Sequence, residues 1–476
     1  MNKRFPSSKS IAKIVASREL TNSVNYLIKN KSLLSKFSNV EALVLRDQDE
    51  FAAIDNQLKG CEYHLLLIRQ KLRREFYARN LFLGNSVLDD VLFTKFANPS
   101  SSDPIFDALE LIKESGVLQR GFIVYPVHSF GVLWRGLFAA YTGLEMSFSV
   151  PSLGVVLSPQ TNSLKRSINF IEWSAKVLGV KKKIPKDLIE HWYVSRRGAK
   201  WIEKNPLLIQ KVRSFPGDYY ENQFAVANKV RLSSIAILMM NSVQNYCLDY
   251  KGGLFSSSRV NNWETLDFKH YFVFYPRPHS RELAGDCVPM NSKIATLAEL
   301  SAIPAELDPR FWRRRQRLSG IISRSVQKIE CGYYKYSYGG NQKNNMAKIY
   351  KKIFRSLEFF HRSYRKSDDP GESIMNLAVA FEILLTDNYS KGVGGMIFDR
   401  VKSLLKGIRG VRKYLASVDE LYSRRSEYVH SGFLDKHFEI TPAHNTFIYV
   451  FLELSSRVEK TPSRGNEIVK YLVEKA

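Results

Sequence analysis

The chain has 476 residues, long enough for two to four domains that each bury an apolar core, and its 44% hydrophobic and 25% charged residues exclude a disordered or fibrous protein. A formal net charge of +25 draws polyanions to the whole surface, and nucleic acid is the commonest polyanion a soluble protein meets. Cys61, Cys247, Cys287 and Cys331 lie far apart without metal-type or paired spacing, which argues against a zinc site or a disulfide framework and fits a reducing, cytoplasmic compartment.

The first residues, MNKRFPSSKSIAKIV, are basic but lead into no apolar core of signal-peptide length. The longest apolar stretch, GVLWRGLFAAYTGLEM, is broken by Arg135 and Glu145, so it reads as a core element, and no membrane association is expected. From about 8 to 80, apolar residues recur at helical spacing and end in LLLIRQKLRREFYARN, a basic amphipathic helix carrying Arg69, Lys71, Arg73, Arg74 and Arg79. That basic face is either a solvated outer surface or a contact for an RNA backbone.

The middle, roughly 86 to 335, mixes helical patterns such as LKRSINFIEWSAKVLGV with β-like runs such as YFVFYPRPHS, and its fold is not legible from pattern alone. It carries three basic clusters that are candidate RNA contacts: Lys181, Lys182 and Lys183; Arg196 and Arg197; and Arg313, Arg314 and Arg315. Phe311 and Trp312 stand beside the last cluster, where exposed rings would stack on unpaired bases while guanidinium groups neutralise phosphates. The run YYKYSYGGNQKNN at 333 to 345 loses apolar periodicity and contains Gly339 and Gly340, which places a domain junction there. The expected organisation is therefore a basic sensor or target-binding region over 1–335, divisible into about 1–85 and 86–335, followed by a helical bundle over 345–476. The fold class is mainly α with some β structure.

Chemistry concentrates in SVDELYSRRSEYVHSG, from Ser417 to Gly432. Ser417 followed by Glu420 has the pattern of a capping box, and Gly432 supplies a left-handed stop, so a helix is expected from Val418 to about His430. On it Val418, Leu421, Tyr422, Tyr428 and Val429 form an apolar stripe with Arg425 near its middle. A guanidinium cannot shed its charge, so on such a face it needs a carboxylate, a phosphate or a solvent-filled cleft. His430 falls in the last turn, where unpaired carbonyls favour the imidazolium form and suit a proton donor or acceptor. Upstream, Glu382 in IMNLAVAFEILLTDN has Met375, Ala378 and Val379 as helical neighbours and needs a cation, either as a structural partner of Arg425 or as the group that orients it. Arg424 projects about 100° from Arg425 and faces solvent or phosphate.

LYSRRSEYVHSG resembles the signature of the Apea-like HEPN family: a Leu–Tyr pair, then Arg, a polar residue, and His followed by a small residue and Gly. The family motif is Arg, four to six residues, then His, and Arg425, Ser426 and His430 fall on its marked positions, with Tyr422 in the flanking pair. The Arg–His spacing recurs at Arg355 and His361, but without that flanking context. The helix around Glu382 is similar to the family's acidic apolar helix. The resemblance covers about 345 to 476.

It implies a metal-independent endoribonuclease without a cofactor, in which the RNA 2′-hydroxyl attacks its own phosphodiester to leave a cyclic phosphate and a 5′-hydroxyl. His430 would transfer the proton and Arg425 would stabilise the phosphorane charge. Ser426 departs from the Asn or Asp common beside the family arginine, and a hydroxyl orients more weakly. Because Arg425 and His430 diverge by about 140° on a straight helix, the family's two-fold pairing of domains implies a homodimer with the stripe beside Arg425 as its buried face. It also implies tRNA or other cellular RNA as substrate, an antiphage or toxin setting, and a trigger of phage origin. The alternative is a non-catalytic nucleic-acid-binding protein or regulator that works through the basic amino-terminal region.

Overall fold

The computed structural model describes residues 18–81, 83–99, 101, 103–114, 121–127, 130–132, 148–150, 153–158, 160–195, 199–212, 221–248, 270–276, 280–289, 305–339, 344–364, 369–388, 392–434 and 438–474. Arg196, Arg197, the amino-terminal basic segment and most of the apolar stretch at 131–146 lie outside them. The architecture is mainly helical with a small antiparallel sheet. Among the described residues, no helix is long and apolar enough to cross a membrane.

Helices α1 (Arg18–Lys29), α2 (Asp55–Ala78), α3 (Asn85–Ala97) and α4 (Pro104–Glu114) surround a core of their own that runs from Leu20 to Ile112. The first unit thus extends well past the expected limit near 85, because Leu88, Leu92, Phe96, Ile105 and Leu109 are buried in the same core as Leu65 and Leu72. Most of α2's basic face is engaged within the unit. Arg69 pairs with Asp89 at 2.5 Å, Arg79 with Glu75 at 2.5 Å, and Arg73 donates to Asn85 at 3.0 Å. Arg74 is exposed.

The sheet follows, with strands β1 (Gly121–Pro126), β3 (Phe148–Val150), β4 (Val155–Ser158), β5 (Leu207–Val212), β6 (His270–Pro276) and β7 (Leu283–Pro289) in the order β3-β4-β5-β1-β6-β7. A short parallel pair, β2 (Phe130–Val132) with β8 (Ala305–Leu307), stands apart. Strand β1 is buried on both faces, so it reads as a continuous apolar run without alternation. Helices α5 (Leu164–Val177) and α6 (Lys186–Val194) lie in the following chain, and Trp192 of α6 packs on Phe272 and Phe274 at 4.6 and 5.9 Å between centroids. The opposite face carries Ile123, Gln210 and Val273 in register, and Gln210 accepts from Ser233 of the long helix α7 (Glu221–Cys247).

Helix α7 is buried along nearly all of its described side chains from Val230 to Gln244. Beyond it come α8 (Pro309–Arg313), α9 (Gln316–Tyr338), α10 (Asn345–Arg362), α11 (Pro370–Leu385), α12 (Val393–Leu404), α13 (Val411–Ser431), α14 (Thr441–Arg457) and α15 (Ile468–Glu474). Polar contacts tie α7 to this group. Lys229 pairs with the buried Glu330 at 2.6 Å, Arg231 with Glu358 at 2.9 Å, and Asn445 donates to the Ser242 carbonyl at 3.3 Å.

The core is therefore not divided at 333 to 345. One apolar core runs from Phe122 to Val473, and the run read as a linker begins with the last turns of α9, up to Tyr338. Its tyrosines pack: Tyr333 stacks on Phe354 at 4.1 Å, Tyr336 on Tyr350 at 5.4 Å, and Tyr334 is buried with Tyr77 of α2. Gly339 ends α9, and Asn344 caps α10 by accepting the Ala347 amide at 2.7 Å. The helical content after 345 agrees with the sequence; its independence as a core does not.

Candidate functional site

Helix α13 starts at Val411, after Gly410 at a left-handed φ of 83°, seven residues before the expected start at Val418. Ser417 is an interior residue. Its hydroxyl donates to the Tyr414 carbonyl at 2.8 Å and pairs with Thr446 of α14 at 2.7 Å, so the Ser–Glu pattern is a helix-to-helix contact and not a capping box. The stop is where the sequence put it. Gly432 has φ 79° and donates to the Tyr428 carbonyl at 2.9 Å.

The apolar stripe mostly faces its own bundle. Val418 and Leu421 are buried, Tyr422 donates to the Ala378 carbonyl of α11 at 3.3 Å, and the Tyr428 ring covers Gly371 while its hydroxyl donates to Asp369. Only Val429, 55% exposed, continues outward, and Phe433, 60% exposed, follows just past the helix end. The expectation that the stripe beside Arg425 is free for a second subunit is corrected to this smaller pair. Packing within the bundle takes up the rest.

Glu382, Tyr422 and Arg425 are brought together where α11 and α13 meet. The Arg425 Nη2 lies 3.2 Å from the Glu382 Oε1, with 31% and 24% of the two side chains exposed, so the ion pair is neither sealed nor freely solvated. Burial pushes the Glu382 carboxyl above its ordinary value, with Arg425 opposing. The Tyr422 hydroxyl is held well above its usual range by burial and by Glu382, again opposed by Arg425. Geometry leaves part of the site's hydrogen-bonding capacity unused: among the described residues, Glu382 Oε1, Arg425 Nε and Arg424 Nε are buried atoms without a hydrogen-bond partner. Arg424 turns to Glu427, at 2.7 Å, so it is paired within its own helix.

Ser426 and His430 lie on the same uninterrupted helix and are exposed. The five residues from Arg425 to His430 correspond to a rise of about 7.5 Å and a turn of about 140°, so within one chain the cation and the imidazole look in different directions. Ser431 bonds the Glu427 and Phe433 carbonyls at 2.6 and 2.7 Å, fixing the turn that follows His430. The second Arg–His spacing is a matter of packing: Arg355 is exposed and paired with Glu358, whereas His361 is buried.

The other candidates stand on different elements. Lys181 and Lys183 are exposed and Lys182 is half-buried on the link between α5 and α6, lining a cleft of about 580 Å³ with Lys176, Lys186 and Glu282. Arg313, Arg314 and Arg315 are exposed at the turn between α8 and α9. Phe311 and Trp312 beside them are buried, at 6% and 2% exposure, which removes them as stacking platforms for bases. Sequence reasoning missed the Asp369–Tyr428 clamp, for which Asp369–Pro370–Gly371 was the available sign of a helix start. It also missed His444, a buried imidazole bonded to Ser363 at 2.8 Å and pushed down to about 3 by burial, which belongs to the core.

Compared with known proteins, the chain matches no family model, no curated protein and no solved structure.

Proposed function

We propose that the chain is a metal-independent endoribonuclease of the HEPN type, acting in the cytoplasm on tRNA or other cellular RNA, with Arg425, Ser426 and His430 as its reactive side chains. The observation that carries this reading is the exposure pattern of one helix: a guanidinium braced by Glu382 yet partly open to solvent, and an exposed imidazole two residues before a glycine stop. A guanidinium so placed can bind a phosphate through two parallel N–H bonds.

In the reaction His430 takes the proton of the 2′-hydroxyl as that oxygen attacks phosphorus. The bond from phosphorus to the 5′-oxygen breaks, and the leaving oxygen receives a proton from the imidazolium of a second copy. Arg425 offsets the charge that grows on the phosphorane oxygens. Ser426 donates a hydrogen bond to the same phosphate, and Glu382 and Tyr422 hold the guanidinium in place. A two-fold dimer that covers Val429 and Phe433 would bring the two α13 helix ends into one cleft. Translation arrest in response to a phage-derived trigger is the setting that the resemblance implies.

The test is direct. The full-length protein is incubated with total tRNA in EDTA and the cleaved ends are read, with 2′,3′-cyclic phosphate and 5′-hydroxyl expected. His430→Ala is expected to lower the rate by about 10²- to 10⁴-fold with fold and oligomeric state unchanged. Full cleavage by that variant refutes the assignment. The exposed arginines between α8 and α9 favour the competing reading, a non-catalytic nucleic-acid binder, which predicts RNA binding without any cleavage.

A further inference from the structure

We infer that Arg310, Arg313, Arg314, Arg317 and Arg324 form a docking surface for the phosphate backbone of folded RNA, separate from the helix that carries Arg425 and His430. The inference rests on RNA being the substrate and names the place where that RNA is held.

Among the described residues the local charge is uncompensated. No Asp or Glu occurs between Asp308 and Glu330. Asp308 is committed to capping α8, accepting the Arg310 and Phe311 amides at 2.8 and 3.3 Å. Glu330 is buried and paired with Lys229. The five arginines are all exposed, and among the described residues their side chains make no ion pair or hydrogen bond. On a protein surface that also carries many acids, five unpaired guanidinium groups in fifteen positions concentrate positive potential in one place.

The surface is also held firmly. Phe311 and Trp312 sink into the core, the Arg315 guanidinium lies 3.9 Å above the Phe311 ring, and the turn is closed by Arg315 donating its amide to the Trp312 carbonyl at 3.0 Å. The α8–α9 turn is thus anchored from below while its charges point out. Arg317 and Arg324 are seven residues apart on α9, so they share a face and extend the patch by about 10 Å along the helix.

The chemistry of the patch selects its partner. Guanidinium groups match phosphate oxygens bidentately and shed water more readily than lysine ammonium groups. The rings that could have stacked on unpaired bases are buried, so recognition runs through the backbone and tolerates sequence. A bilayer would call for apolar side chains to insert beside the charges, and Ile321 at 37% exposure is the one exposed large apolar side chain between Arg310 and Arg324 among the described residues. Folded RNA, which presents phosphates at fixed spacing on a helix, fits best.

The experiment uses the full chain carrying His430→Ala, so that binding is read without cleavage, and total tRNA as the probe. The affinity is measured against salt for this parent, for Arg313→Glu/Arg314→Glu/Arg317→Glu, and for a control of equal charge change on α1 and the turn after it, Lys29→Glu/Lys31→Glu/Lys36→Glu. Loss of three phosphate contacts is expected to lower the slope of log affinity against log salt by about 2 to 3, with at least a tenfold loss of affinity at fixed salt; the control is expected to change the slope by less than about 1. Should the glutamate variant fail to fold, the corresponding glutamine variant supplies the same comparison.

An unchanged slope in a folded variant overturns the inference, as does an equal loss in the control, or a parent that does not bind tRNA. Loss of binding to anionic vesicles with tRNA binding intact would assign the patch to a membrane and overturn it as well. Arginine-dependent tRNA binding by a protein that cuts nothing would leave this surface standing while removing the ribonuclease reading. Normal cleavage with arginine-independent binding would do the reverse.

Discussion

Gly371→Ala isolates the contact that sets the spacing of α11 and α13. A Cβ built at Gly371 falls 2.1 Å from Tyr428 Cε2 and 2.3 Å from Cδ2, inside any attainable carbon–carbon distance. The ring cannot simply swing aside, because its hydroxyl is bonded to Asp369, whose other oxygen accepts the Gly371 amide at 2.8 Å. In an unconstrained helix the change would favour folding by up to about 1 kcal/mol. Forcing a methyl into a filled site costs about 1–3 kcal/mol. The net expectation is a loss of about 1–2 kcal/mol, read as a lower urea midpoint at constant m-value. The double variant Gly371→Ala/Tyr428→Ala removes both sides of the clash, so it is expected to be more stable than the sum of the two single effects, by at least about 1 kcal/mol. A Gly371→Ala protein as stable as the parent, or strictly additive single effects, would refute the packing argument.

Three further outcomes follow from the titratable groups. His444 is held neutral by burial, at about 3 against the ordinary 6.5, so the unfolded chain binds the extra proton first. Stability is expected to fall as pH drops below about 6.5, by at most about 1.4 kcal/mol per pH unit, and His444→Asn to flatten that slope in urea titrations between pH 7 and 5. Glu382 is displaced the other way: its raised carboxyl favours folding below about 4.5, and that contribution is lost as pH rises through the folded value. Glu382→Gln is therefore expected to gain stability relative to the parent as pH rises from 4.5 to neutrality, and a constant difference would contradict the burial argument. Asp387 accepts the Val469 and Lys470 amides at 2.6 and 3.0 Å and so caps α15 from another part of the chain. Asp387→Ala is expected to cost about 1–2 kcal/mol and to speed hydrogen exchange at those two amides; unchanged exchange would exclude the cap.

Local signals were legible where the physics is local. Apolar periodicity located α2, α5 and the helices after 345, the aromatic run marked β6, and Gly432 marked the end of α13. The need of Glu382 for a cation was legible too, since a carboxylate among Met375, Ala378 and Val379 has few alternatives. Tertiary decisions were not. Ser417 and Glu420 look the same at a helix start as inside one, and only Gly410 and the Thr446 partner distinguish them. The tyrosines of 333 to 338 look like a polar linker until Phe354 and Tyr350 are placed against them. Phe311 and Trp312 beside arginines carry the same sequence whether they face bases or the core. The sheet order was beyond reach because β1 pairs with β5, Gly121 opposite Val212, across a long stretch of sequence that no local pattern links.

The clamps on α13 hold its middle and leave its last turn to whatever covers Val429 and Phe433 in the proposed dimer. Ser417 is tied to Thr446, Tyr422 to the Ala378 carbonyl, and Tyr428 to Asp369, so the helix is fixed at its middle and on the side facing α11 and α14. Arg425 lies between two of these ties and is braced by Glu382, which sets the direction of its guanidinium before any ligand arrives. His430 lies beyond the last tie, between the exposed Val429 and Phe433. Proton transfer over one hydrogen-bond length, the role proposed for His430, requires positioning to a fraction of an ångström, and two exposed apolar neighbours provide no such constraint until they are covered. The cation is thus preorganised within the chain, whereas on the proposed reading the imidazole would acquire its position from a second copy. Val429→Asp is accordingly expected to abolish both dimerisation and cleavage while leaving the urea midpoint of the monomer unchanged, and a monomeric variant with full activity would show that one chain suffices.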